Sequence, residues 1–161
     1  MTITDAVCQV LVDAPPVAAL VGPRVYQLRL PQQPTLPALR VQLIAEPSRY
    51  HLRGLVNAWE ALVQVDAYAT EFDPAFPDPY DQVSRLADAV DTVLSGLQVT
   101  VDTIRIVAGF RVGREPLYEA EQLRLARILQ EYHCLYHDRT RTTRTTSKTR
   151  RPEDQKEIAH G

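Results

Sequence analysis

Hydrophobic and polar positions alternate with two periods along this chain, and the sharpest switch between them falls within residues 60–97. In Ala61 to Ala69 the odd positions Ala61, Val63, Val65, Ala67 and Ala69 are small and apolar, with Leu62, Gln64, Asp66 and Tyr68 on the alternate face. A period of two marks a strand, and a face of small residues suits a helix packed on it. After a proline-broken loop the period becomes 3.6. Val83, Leu86, Ala87, Val90, Val93, Leu94 and Leu97 form one stripe, opposite Asp81, Ser84, Arg85, Asp88 and Asp91, as in an amphipathic helix. Asp78 is suited to the N-cap, Pro79 to the first helical position and Asp81 to the positive end of the dipole, while Gly96 supplies the stop. The stripe is expected to lie on the small-residue face of the strand before it.

Upstream, the pattern predicts a short helix capped by Thr4 and running through Asp13, with Ala6, Val7, Val10 and Leu11 as its stripe. A second short helix is expected from Pro16 to Val21, closed by Gly22 and Pro23. Val25 to Leu28 reads as a short strand. Leu30 to Pro37 carries Pro31, Pro34 and Pro37 and should be an extended loop. Ala38 to Ala45 alternates Leu39, Val41, Leu43 and Ala45 against Arg40, Gln42 and Ile44, a half-buried strand. Pro47 to Asn57 breaks the pattern and reads as a hairpin-like arm whose Arg49, Tyr50, His51 and Arg53 suit a contact surface.

Downstream, Val99 to Ala108 is a β run with Ile104, Ile106 and Ala108 on one face, and Gly109 and Gly113 are expected to bracket a turn. Leu123 to His137 fits both periods. Leu125, Ile128, Leu129, Tyr132 and Tyr136 have helical spacing, which periodicity mildly prefers, and the same run tolerates a strand.

Composition changes this picture little. A chain of 161 residues, 45% hydrophobic and 24% charged, suits one globular domain with its own core. Cys8 and Cys134 fit no paired spacing, so neither a disulfide framework nor a zinc ribbon is expected. The first residues lack a basic start and a long apolar run, and no run approaches the length needed to cross a bilayer.

Charge changes it more. From Arg139 to Gly161 there are seven basic and three acidic residues, +4, so residues 1–138 carry −6 of the net −2. An acidic domain over 1–138 and a basic extended tail over 139–161 are expected. The tail is nearly free of apolar residues and in isolation should be disordered. Its Arg139, Arg141, Arg144, Lys148, Arg150 and Arg151 suit docking on an acidic surface or a neighbour's sheet edge.

The chain yields no catalytic constellation. His133, Cys134 and His137 lack a fourth metal ligand, and surface histidines are the favoured reading. Asp73, Asp78 and Asp81 lack calcium-loop spacing. Gly109 to Gly113 is not followed by GK[ST], and no serine sits in a G-x-S-x-G elbow. Trp59 suits a core or an interface. No enzyme activity, cofactor or metal is expected.

The order of elements, with ALVGPRVY (Ala19 to Tyr26), LPALRVQL (Leu36 to Leu43), LVQVDAYA (Leu62 to Ala69) and RLADAVDTVLSGL (Arg85 to Leu97), resembles the small tail-completion, or tail terminator, proteins of long-tailed bacteriophages and related gene-transfer particles. The resemblance covers roughly residues 5 to 137 and rests on order and phrasing, not on a chemical signature. It implies an α+β fold, a mainly antiparallel sheet with its helices packed on one face, plus here an extended C-terminal tail. It also implies a strand for Arg124 to His137, against the periodicity.

The function it implies is a virion protein of the neck, assembled in the host cytoplasm. It would form a hexameric ring that caps the tail tube, ends its growth and meets the head connector or stopper protein. DNA would pass through the lumen without specific binding, and no membrane is involved. Six copies at −6 would put roughly 36 negative charges around the channel, which repel the DNA backbone. Seam candidates are Arg49, Tyr50, His51 and Arg53 of the arm, Phe72 and Phe76 of the proline loop, and the sheet edge at Leu28. Another neck component (stopper or adaptor), or a DNA-binding protein using the basic tail, are the alternatives.

Overall fold

Thr2 starts the first helix by a reciprocal box. Its hydroxyl accepts from the Asp5 amide (3.1 Å), and the Asp5 carboxylate accepts from the Thr2 amide (2.6 Å). Helix α1 therefore spans Ile3–Asp13, beginning before the expected cap at Thr4, which lies inside it. Thr2→Ala removes the hydroxyl that accepts from the Asp5 amide and keeps the amide that donates to the Asp5 carboxylate, so it is expected to cost about 1 kcal/mol in urea unfolding. After Ala14, α2 (Pro15–Val21) turns 82° from α1 and ends at Gly22, whose φ of 54° closes it. Ile3, Ala6, Val7, Leu11, Val17 and Val21 are all buried in the core. Among the described residues no single helix is long and apolar enough to cross a membrane.

The computed structural model describes residues 1–47, 50–51, 54–55, 58–70, 74–75, 78–119 and 125–141. Its strands are β1 (Val25–Gln27), β2 (Ala38–Ala45), β3 (Tyr50–His51), β4 (Gly54–Leu55), β5 (Trp59–Thr70), β6 (Val99–Val101), β7 (Ile104–Glu119) and β8 (Leu125–Asp138), with α3 (Pro79–Leu94) between β5 and β6. Six strands form one mixed sheet in the order β1-β2-β5-β8-β7-β6, antiparallel except for β1 against β2. The arm forms its own small hairpin, β3 with β4. This is an α+β fold.

The small-residue face of β5 is fully buried at Ala61, Val63, Val65, Ala67 and Ala69, and α3 buries Val83, Leu86, Ala87, Val90 and Leu94. Asp78 caps α3, accepting from the Tyr80 amide at 2.9 Å. The helix is not roofing β5 alone. It also lies on β8, where the Gln130 side chain donates to the Ala87 carbonyl (3.1 Å), and reaches β7, where its last turn meets Gly109.

Two expectations fail in instructive ways. The turn expected between Gly109 and Gly113 is absent, since β7 runs through both. The reversal falls at Asp102–Thr103, where Asp102 takes a φ of 50° that aspartate tolerates. Register shifts at Ile106/Ala108 and Arg111/Gly113 curl β7 without ending it. In β2 the shift between Leu43 and Ala45 leaves Leu43, Ile44 and Ala45 exposed, so of the four residues expected to face the core only Leu39 and Val41 reach it. Leu125–Asp138 is a strand, with Ala126, Ile128, Gln130, Tyr132, Cys134, Tyr136 and Asp138 buried. Its side chains alternate between faces, and the helical spacing of its leucines and tyrosines is incidental.

Candidate functional site

The sheet face away from the helices carries a buried ionic cluster at its centre. Asp66 on β5 is fully buried and accepts from Arg40 of β2 (2.7 Å), Arg127 of β8 (2.8 Å) and the Gln64 side chain (2.9 Å). Register puts the cluster together: Asp66 faces Arg40 across β2–β5, and Arg127 faces Tyr68 across β5–β8. Both guanidinium groups lie over the Tyr68 ring, at 5.7 and 5.6 Å from its centre. Two cations answer one anion, and every acceptor on Asp66 is used. The arrangement locks three strands together and leaves no free base.

A second cluster fixes the root of the basic tail. Arg141 donates to Glu46 (3.0 Å) just beyond β2, pairs with Asp138 (3.3 Å) and lies over the Trp59 ring at 4.5 Å. The Tyr136 hydroxyl donates to the same Glu46. Burial, then the Glu46 carboxylate, pushes the Tyr136 phenol up. Glu46 and Trp59 stand at the two ends of the arm, so one arginine clamps arm and tail at a single corner of the sheet. Burial favours the protonated form of Asp138 but is outweighed by hydrogen bonds from Thr140 and by Arg141, which hold this carboxyl below its ordinary range.

The remaining candidates separate. His133 pairs with Glu60 (2.7 Å) on the outer face, while Cys134 is buried against the helices, so the pair cannot share an ion with His137. Among the described residues no group of three metal-ligating side chains converges. Burial pushes both thiols up to about 11. At pH 8 little thiolate exists, so both cysteines should react with a disulfide reagent at least about tenfold more slowly than a free cysteine peptide. Among the described residues, a cleft of about 380 Å³ between α2, α3 and the Leu36–Pro37 loop is lined by no acid, thiol, hydroxyl or histidine. Arg24 is tied there to the Pro37 and Leu20 carbonyls.

Of the expected contact residues, Tyr50 and His51 form β3, and Leu28 stands 66% exposed just past the edge strand β1. Arg139 is exposed, with its amide on the Thr103 carbonyl (3.0 Å). Arg49, Arg53, Phe72, Phe76, Arg144, Lys148, Arg150 and Arg151, and Asp73 of the proline loop, lie outside the described residues. Sequence reading missed the Asp66 cluster and the Arg141 clamp, because each depends on strand register.

A curled sheet roofed on one face by helices and tied together by buried ion pairs makes this an α+β domain. A solved chain described as "Virion of native gene transfer agent (GTA) particle" shares this fold, with a TM-score of 0.62 at 20% identity over 84% of this chain and 94% of that one. Residues 5–137 match the model of the family of tail completion protein gp17, and the chain belongs to that family. Among curated proteins there is no match. The protein is a structural component of a phage-type tail.

Proposed function

We propose that the chain is a tail terminator: six copies close into a ring that caps the finished tail tube, ends its growth and presents a surface to the head connector. The observation that carries this reading is the family match over nearly the whole domain. The sheet supports it, because its two edges differ. One ends in the short parallel strand β1 with exposed Leu28, the other in β6 and the long β7. Unlike edges join head to tail, the type of contact that closes into rings.

In this reading the domain is 1–138 and the tail 139–161. Arg49, Tyr50, His51, Arg53, Phe72 and Phe76 lie in the seam, and the acidic body lets DNA slide without sticking. Cells lacking this chain should yield tails that overrun their normal length and do not join heads. Tails of normal length joined to heads would refute it, and tails of normal length left unjoined would favour the stopper or adaptor reading. Leu28→Asp should leave urea stability within about 0.5 kcal/mol while reducing incorporation into particles, measured by the amount of chain per particle.

A further inference from the structure

β7 is 16 residues long, but β6 covers only Ile104 to Ile106 on its outer side, and the Gly96 amide caps the Gly109 carbonyl at 2.9 Å. Beyond Gly109, among the described residues, no backbone group pairs with that side of the strand up to Glu119. This open stretch carries Phe110 and Val112, 53% and 54% exposed. Its arginines are already spoken for: Arg111 pairs with Asp91 (2.9 Å) and Arg114 with Asp88 (2.5 Å), leaving the exposed Glu115. A bare, partly apolar strand edge is a template for another strand.

The chain contains a segment suited to it. Residues 142–151, TTRTTSKTRR, hold five threonines, four basic residues and no acid, glycine or proline, with Pro152 next. Threonine favours strands and proline stops them. Ten residues extend about 33 Å, enough for the ten positions from Phe110 to Glu119. The Arg141 clamp holds the root of this segment against Trp59 and Glu46, on the β5–β2 side of β8 and away from its own β7.

We propose that residues 142–151 of one copy add as a strand to the open β7 edge, Phe110 to Glu119, of the next copy, tying adjacent subunits by backbone hydrogen bonds. The proposal rests on the head-to-tail ring above, which sets the β1 side of one copy beside the β7 side of the next. Basic residues on the segment meet the exposed Glu115.

The test places Val112→Cys with a second cysteine at Thr143, Thr145, Ser147 or Thr149 in the full chain, and oxidises particles that carry it. Val112 is exposed, and an unchanged melting temperature of the purified variants confirms that they fold. The expected result, for at least one pair, is a ladder of linked copies that reductant collapses and that neither variant with only one of the two introduced cysteines gives. Chain in a ring at the tail end with no ladder for any pair would overturn the proposal and leave the ring reading standing. A fast-migrating, internally linked monomer would also overturn it, by placing the tail on its own β7. Particles without this chain at the tail end would remove the ring reading and the proposal together.

Discussion

Asp66→Ala is expected to cost about 3–5 kcal/mol, because it strands two partly buried guanidinium groups whose anion is gone. Arg40 and Arg127 side chains are 21% and 14% exposed, and the Asp66 side chain has no exposed surface. Both arginines are largely covered, so water replaces only part of the lost pairing. The measurement is the urea midpoint of the purified domain at pH 7. A loss under about 1 kcal/mol would mean that the cluster is hydrated and behaves as a surface ion pair. Adding Arg40→Met and Arg127→Leu to Asp66→Ala should recover much of the loss, since a well-packed apolar replacement removes the stranded charges along with the acid. That recovery would show that the cluster serves to fix which strands pair, and in what register, more than to add net stability.

The second large effect is at Gly109. A Cβ built there would sit 2.4 Å from the Leu94 carbonyl oxygen, in the last turn of α3, and backbone cannot rotate away as a side chain can. Gly109→Ala should cost about 1–3 kcal/mol, and Gly109→Val more, by forcing α3 off β7. Gly113→Ala is the control. Its nearest obstacle is the flexible Glu131 carboxylate at 3.3 Å, so the change should stay within about 0.5 kcal/mol. Equal costs at both glycines would contradict the close approach of α3 to β7.

Those two sites mark where the sequence is legible and where it is not. Residues 61–70 and 79–94 could be read directly, because small residues at period two and a capped stripe at 3.6 have few other uses. The same period-two reading put Asp66 on the face away from the helices and said nothing of its burial. Its burial depends on Arg40 and Arg127, 26 and 61 residues away, and no local pattern carries that information. Gly109 looked like a turn residue because glycine marks turns and close approaches alike; only the packing of α3 decides between them. For residues 125–138 the family resemblance gave strand where spacing favoured helix, and the burial of every second residue confirms strand. The Arg141 clamp was missed because composition marks residues 139–161 as a tail, whereas its first three residues are tied to the domain by Thr103, Asp138, Glu46 and Trp59. The other candidate docking residues of that tail lie beyond Arg141 and are addressed by the cross-linking above.

Acid stability offers an intermediate check on the N-terminus. The Gln27 side chain, then the Thr2 amide and hydroxyl, hold the Asp5 carboxyl below its usual range. A depressed carboxyl contributes stability that is present above its unfolded value and lost as pH falls through its folded one. Asp5→Asn should therefore flatten the fall in stability below about pH 4, read from urea midpoints between pH 6 and 3.

The account stands most directly on where the chain sits in an intact particle. Cryo-electron microscopy of the tail's head-proximal end should show six copies of this sheet and its helices in one closed ring on the last layer of tube, the β1 side of each copy against the β7 side of the next. A single copy there, an open arc, or this fold at the opposite end of the tail would contradict it.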